Sequence, residues 1–116
     1  MCHFKHMAHG DPFYNVGVQD ITTHVDFTAI ADAADKSGLR VTGYAYQADF
    51  LINCGINEKL LSFAPNAGDT LIILQQAKQL LSPAAMGERF KVMLLTMDFD
   101  GPLLGVDKVN DRRHYL

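Results

Sequence analysis

The segment at residues 90–97 constrains the fold more than any other part of this 116-residue chain. It reads Phe-Lys-Val-Met-Leu-Leu-Thr-Met and is apolar at nearly every position. An apolar run of this length is typical of a β-strand covered on both faces, as occurs in sheets flanked by helices. The segment therefore predicts a central strand with helices packed against its sheet.

A helix and a second strand are predicted near the middle of the chain. Asp26 is a favourable N-cap residue, and Gly38 can supply the left-handed position that ends a helix. Between them, apolar residues recur at helical spacing, namely Phe27, Ile30, Ala31 and Ala34. The pattern predicts a helix over residues 27–37. Alternation of apolar and polar residues then predicts a strand over residues 39–46.

Helical patterns fill the interval between these two strands. Residues 48–54 form a short apolar pattern closed by Gly55, and Asn57 and Asp69 are placed to cap two further helices. Pro83 ends the last of them, because proline cannot continue a helix. Strands alternating with helices predict the α/β fold class, with a helical insertion before the last strand.

Composition excludes several functional classes. A chain with 48% hydrophobic residues can bury a core and forms one domain or part of one. Its net charge of −3 is unlike the basic excess of nucleic-acid-binding domains, so no nucleic acid partner is expected. Two cysteines are too few for a disulfide framework, and no apolar run reaches the length of a membrane span. We expect a soluble protein in a reducing compartment.

Potentially reactive side chains are densest at residues 17–27. In an extended chain, Asp20, Thr22, His24 and Asp26 would share one face, while apolar side chains would share the other and pack. Asp20 and His24 would then lie roughly 13 Å apart, too far for a direct dyad. An Asx turn, in which the Asp20 carboxylate accepts from nearby backbone N–H groups, would shorten this distance. The sequence leaves both conformations open.

His3, His6 and His9 form a His-x-x-His-x-x-His spacing that would align three imidazoles on a helix, as in some zinc sites. Gly10 and Pro12 break any helix immediately afterwards, and the alternating residues before them favour a strand. We therefore assign no metal site.

Several strings resemble one known family. They are Asp-Ile-Thr-Thr-His-Val-Asp-Phe at residues 20–27, Gln47 followed by Phe50-Leu51, and Met-Gly-Glu-Arg-Phe-Lys-Val at residues 86–92. Together with the first nine residues, they resemble late motifs of the MidA-like S-adenosylmethionine-dependent methyltransferases, whose mitochondrial relatives assist assembly of respiratory complex I.

The resemblance implies the C-terminal part of a class I, Rossmann-like methyltransferase fold at residues 1–97, followed by a tail at 98–116. It also implies S-adenosyl-L-methionine as cofactor and a protein arginine side chain as substrate. The glycine-rich cofactor loop of the family is not in this sequence. We therefore expect the chain to be inactive alone, and to act in the bacterial cytoplasm or the mitochondrial matrix.

Roles for individual residues follow from the chemistry of a guanidinium substrate. Asp20 is the first candidate, because carboxylates bind guanidinium groups in bidentate fashion, although an Asx turn explains it equally well. His24 could orient the substrate or accept a proton, or be a hydrogen-bonded structural residue. Thr22 and Gln47 are candidates for substrate contact, with helix capping the alternative for Gln47, and Asp26 is expected to be a helix cap.

A second hypothesis belongs to another class of protein. The exposed sheet edge could make the chain a non-catalytic interaction module that pairs with a partner or forms a homodimer.

Overall fold

The computed structural model describes residues 1–4, 7–63 and 67–116. The first part is a small antiparallel sheet of three short strands, β1 (Cys2–Phe4), β2 (Met7–His9) and β3 (Asp20–Ile21). β1 lies in the middle and pairs with both neighbours. Turns connect β2 to β3, as the glycine, proline and asparagine content of residues 10–17 predicts.

Helix α1 (Phe27–Lys36) begins and ends as the sequence predicts. The Asp26 carboxylate accepts the backbone N–H of Ala29 at 3.0 Å, so the predicted N-cap is confirmed. Gly38 has φ +77°, and its N–H donates to the Asp35 carbonyl. The next N–H, that of Leu39, donates to the Ala34 carbonyl at 2.9 Å, which completes a Schellman motif.

Strands β4 (Arg40–Tyr46) and β5 (Lys91–Thr96) form an antiparallel two-stranded sheet. A β-bulge between Val41 and Gly43 shifts the register, and the extra residue, Thr42, donates its hydroxyl to the Leu94 carbonyl. The expectation of a central strand covered on both faces is wrong for the described residues, since β5 pairs only with β4 and Leu95 is exposed. The apolar composition of residues 90–97 indicates that the strand packs against other elements, but it does not indicate how many strands pair with it.

Three helices separate β4 from β5, in agreement with the predicted insertion. They are α2 (Gln47–Asn53), α3 (Ile56–Phe63) and α4 (Ala67–Leu81). The caps proposed at Asn57 and Asp69 are wrong, because both residues lie inside the first turns of their helices. A break was expected at residues 65–68; residues 65 and 66 lie outside the described residues, and Gly68 is helical.

After α4, a π-helical turn (Pro83–Gly87) interrupted at Ala85 leads into β5. The predicted stop before Pro83 is confirmed. A Cβ atom added to Gly87 would collide with the backbone carbonyl of Leu81, so this turn packs against the end of α4 through a position that only glycine fills.

The tail packs along β4 and ends in a 3-10 turn (Arg113–Tyr115). The Arg112 N–H donates to the Tyr44 carbonyl at 2.7 Å, and the Arg113 guanidinium donates to the Val41 carbonyl at 3.2 Å. The tail therefore occupies backbone acceptors along β4. Val106 also lies against Gly43, where an added Cβ would come within 2.9 Å of its side chain.

Candidate functional site

A cavity of about 520 Å³ lies beside the first turn of α1. Residues 22–25, which connect β3 to α1, form one wall, and residues 89–91, which lead into β5, form another. Phe27 and Tyr44 complete the lining. The cavity thus brings the most reactive stretch of the sequence against the entrance to the last strand.

Residues 22–25 are held at both ends by hydrogen bonds. At one end, Thr22 and Met1 exchange two bonds of 2.8 Å, in which each nitrogen donates to the carbonyl of the other residue. At the other end, Asp26 caps α1. The wall is therefore fixed at one end by the first residue of the chain, which precedes the small sheet, and at the other end by the N-terminus of α1.

The opposite side of the cavity is aromatic. The rings of Phe27 and Tyr44 are tilted against each other, with centroids 5.1 Å apart. Burial raises the pKa of the Tyr44 phenol, and the neighbouring Tyr46 raises it further. The Tyr44 hydroxyl therefore stays protonated at neutral pH and can donate a hydrogen bond.

Two cationic side chains, Arg89 and Lys91, line the cavity, and none of the lining residues is acidic. The Lys91 ammonium donates to the Arg89 carbonyl at 3.0 Å and lies 5.8 Å from the centre of the Tyr46 ring. The charge of the lining suits an anionic or neutral group better than a cation.

The structure brings together two of the four predicted site residues. Thr22 and His24 both line the cavity. Asp20 does not; it lies on β3 with its side chain exposed, opposite His3 in the register. The Thr22 N–H donates to Met1, so it does not close the Asx turn considered for Asp20. Within the described part of the chain, the Asp20 carboxylate has no hydrogen-bond or ion-pair partner.

Gln47 is engaged elsewhere in the fold. Its side-chain amide donates to the Leu80 carbonyl at 3.0 Å, and its backbone N–H donates to the Phe90 carbonyl at 3.0 Å. Gln47 thus links the start of α2 to the end of α4 and to the entry of β5. The structural alternative considered for it, a cap of the next helix, is wrong, because Gln47 is the first residue inside α2 and its side chain bonds to a carbonyl of α4.

One expectation about residues 17–27 is wrong. Ile21 and Val25 were expected to anchor a packed face, but they are 61% and 50% exposed. Only two residues of this stretch are in a strand, and no described element covers their apolar side.

Sequence reasoning missed Tyr44, Arg89 and Lys91 as cavity residues. A usable signal was present in the alternation of β4, because Tyr44 and Tyr46 share a strand face. The position of Lys91 directly opposite Tyr46 depends on the β4–β5 register, which the sequence does not give.

The three histidines of the N-terminal spacing do not share a helix, since His3 lies on β1 and His9 on β2, and His6 lies outside the described residues. Across residues 1–4, 7–63 and 67–116, no group of three or more His, Cys, Asp or Glu side chains is arranged to hold a metal ion. None of the helices in these ranges is long and apolar enough to cross a membrane.

One family model matches part of the chain. Residues 1–45 match the model of a family described as "Putative S-adenosyl-L-methionine-dependent methyltransferase". No curated protein matches the chain significantly.

Two crystal structures from Burkholderia thailandensis are similar over 100% of this chain. One is a superfamily member described as a "likely methyl transferase", bound to S-adenosyl-homocysteine, with 44% identity and a TM-score of 0.85. The other is a native structure of an "uncharacterized" protein of the same superfamily, with 44% identity and a TM-score of 0.83. The chain spans 30% and 31% of the lengths of these two proteins.

The match covers the residues that build the cavity wall and α1, and the structural similarity extends through the tail. The resemblance inferred from residues 20–27 and 86–92 is confirmed at this level: the first 45 residues match the model of a family of putative S-adenosyl-L-methionine-dependent methyltransferases, and the whole chain is similar to part of a likely methyl transferase.

Proposed function

We propose that this chain forms the substrate-side part of an S-adenosyl-L-methionine-dependent methyltransferase. The observation that carries the proposal is the 44% identity, over the whole chain, to a protein whose structure contains S-adenosyl-homocysteine. This compound is what remains of the cofactor after its methyl group has been transferred. The family model matched by residues 1–45 supports the same cofactor.

The described residues do not themselves form a site that fits the cofactor. Methyltransferases of the expected fold hold it at a glycine-rich turn between a strand and a helix, where free backbone N–H groups are available. Here α1 follows β3, but the Asp26 carboxylate already accepts a first-turn N–H group of α1. We therefore assign cofactor binding to residues outside this chain, and substrate binding to the segment at residues 20–24, part of which lines the cavity.

The substrate we propose is an arginine side chain of a protein, as the resemblance to the MidA-like family implies. Asp20 supports this choice because its exposed carboxylate has no ion-pair partner among the described residues and lies two residues from the cavity wall. A guanidinium group would bind at Asp20 rather than deeper inside, where Arg89 and Lys91 would repel it. His24, which lines the cavity, would orient the substrate or accept its proton. A link to complex I assembly is part of the same proposal.

The test uses the longer protein that contains this chain, assayed for methyl transfer to arginine-containing protein. Asp20→Asn keeps the side-chain shape and removes its charge, so methyl transfer should fall at least about tenfold, or about 1.4 kcal/mol of transition-state stabilisation. Asp32→Asn, an equivalent change at an exposed position on α1, serves as the matched control and should keep the full rate. Full activity of Asp20→Asn would contradict the proposed binding of the guanidinium by the Asp20 carboxylate, while leaving the methyltransferase proposal intact.

Cofactor binding is tested separately by calorimetric titration with S-adenosyl-homocysteine. The longer protein should bind it, and the 116-residue chain should not. Saturable micromolar binding by the chain alone would overturn the proposal that residues outside this chain bind the cofactor. The non-catalytic interaction module gains no support from the comparisons.

A further inference from the structure

A second, smaller cavity of about 270 Å³ lies beside the first and is independent of the proposed methyl transfer. Its lining consists of three tyrosines and two cationic residues: Tyr44, Tyr46, Lys91, Arg112 and Tyr115. Tyr44 and Lys91 line both cavities. The tail, which supplies Arg112 and Tyr115, therefore creates a site that β4 and β5 do not form by themselves.

Arg112 is held against the sheet from two directions. Its backbone N–H donates to the Tyr44 carbonyl at 2.7 Å, and its guanidinium carbon lies 4.0 Å from the centre of the Tyr46 ring. The Tyr115 ring lies farther away, at 5.9 Å. A cation–π contact uses the face of the guanidinium and leaves its N–H groups, which point outward in the plane, available as donors.

The Arg112 Nε atom is buried and has no acceptor among the described residues. A buried donor without an acceptor is unfavourable by about 1–3 kcal/mol, and more for a charged group. The neighbouring arginine shows the contrast. Arg113 donates its Nε–H to the Asp111 carboxylate at 2.7 Å, so the acid nearest in sequence is already engaged.

Lys91 adds a second positive charge. It lies directly opposite Tyr46 in the β4–β5 ladder, and its ammonium lies 5.8 Å from the centre of that ring. One of its three N–H groups donates to the Arg89 carbonyl. No acidic residue lines the cavity, so neither cation is neutralised within it.

We propose that this cavity binds an oxyanion, the carboxylate or phosphate group of a small molecule, between the guanidinium edge of Arg112 and the ammonium of Lys91. Arginine presents paired N–H groups that match two oxygens of either anion, whereas lysine contributes a point charge. The Tyr46 ring lies next to both cations and so keeps them at the same cavity.

The experiment is an NMR titration of the 116-residue chain, labelled with nitrogen-15, with inorganic phosphate and with acetate. Chloride at equal ionic strength is the reference. The Arg112 Nε–H resonance should shift saturably with at least one oxyanion and not with chloride. The anion that binds more tightly identifies the group as phosphate or carboxylate. Arg113, whose Nε–H is bonded to Asp111, should not respond and serves as a control in the same spectrum.

Three variants locate the site. Arg112→Lys keeps the charge but loses the paired donors, and should weaken binding at least about tenfold. Lys91→Gln leaves the contact between Arg112 and Tyr46 in place and should weaken binding about threefold or more. Lys59→Gln makes the same charge change on the exposed surface of α3 and should leave affinity unchanged.

An absent shift at Arg112, an equal response to chloride, or equal weakening by Lys59→Gln would overturn the proposal. The Lys91 ammonium contacts Arg89 and Tyr46, and neither residue belongs to the tail. Lys91→Gln therefore tests the site even if Arg112→Lys disturbs the tail.

Discussion

The sheet formed by β1, β2 and β3 and the sheet formed by β4 and β5 are both small and antiparallel, but their side chains have different environments. On β3, Ile21 is 61% exposed, whereas Ala45 on β4 is completely buried. Both positions belong to alternating apolar patterns. The difference lies in what surrounds each sheet: helices and the tail pack against β4 and β5, and no described helix packs against the first sheet.

This difference shows that alternation marks a face able to pack without specifying that a neighbour covers it. The hydrophobic effect is non-directional and depends on the area removed from water. An apolar face is therefore stabilising only where another element is brought to it. We expect substitutions in the β4–β5 region to alter stability strongly, and equivalent substitutions in the first sheet to alter it little.

The largest effect is expected for Gly87→Ala. The added Cβ would meet the backbone of Leu81 and Ser82, which cannot rotate away as a side chain can. The free energy of unfolding should fall by about 3 kcal/mol or more, measured by chemical denaturation. Gly10→Ala is the matched change in the turn that follows β2 of the first sheet. No atom of the described residues lies within 4 Å of the added Cβ there, and stability should change by less than about 0.5 kcal/mol. Similar losses for both variants would remove the distinction between the two regions.

A smaller effect is expected when a buried side chain is enlarged. Ala45→Val adds two methyl groups where no surface is exposed, and should destabilise the chain by about 1–3 kcal/mol. Val25→Ala, at a half-exposed site, should change the unfolding free energy by no more than about 0.5 kcal/mol. Thermal unfolding followed by circular dichroism compares them, and a larger loss for Val25→Ala would show that the N-terminal region is packed in solution.

Asp20 and Asp26 are only six residues apart, and their substitution compares the first sheet with the start of α1. Asp26→Ala removes the cap of α1 and should lower the unfolding free energy by about 1 kcal/mol. Asp20→Ala, in the first sheet, removes no hydrogen bond seen in the described residues and should change stability by less than about 0.5 kcal/mol. Denaturant midpoints at neutral pH provide the comparison. A greater loss at Asp20 would mean that its carboxylate has a structural role.

The smallest effect concerns acid pH and the tail. Asp107 accepts backbone N–H groups from Asn110 and Val109, at 3.0 and 2.9 Å, and these bonds hold the pKa of its carboxyl below the usual range. Because the folded-state pKa is the lower one, the stabilisation is present above the ordinary pKa of aspartate. It is lost as the pH falls through the folded-state pKa.

Stability measured along an acid titration should therefore decline less steeply for Asp107→Asn than for the parent chain. If Asp107→Asn has no effect on the slope, the turn at residues 107–110 does not contribute to acid sensitivity.

The sequence by itself determined the elements whose signals are local. Asp26 and Gly38 mark the two ends of α1, because a cap and a left-handed residue act within one turn of the helix. The alternation of β4, the apolar run of β5 and the stop before Pro83 were also readable from neighbouring residues. The family resemblance depended on short strings of the same kind.

Of the four candidate site residues, Thr22 and His24 could be placed together from sequence because both lie in one connecting segment. Their position in one cavity with Tyr44 and Lys91 could not be predicted. It depends on β4 pairing with β5 across more than 40 residues, and on the bulge at Thr42 that sets the register.

Only the tertiary structure decided where the tail lies and what it does. Gly43 gives no sequence signal that Val106 will contact it, and nothing local indicates that Arg112 stacks on Tyr46. Capping and turn hydrogen bonds join residues a few positions apart, so the sequence encodes them directly. Burial and cross-strand pairing join distant residues, and their free energy depends on which other surfaces the whole chain has brought into contact.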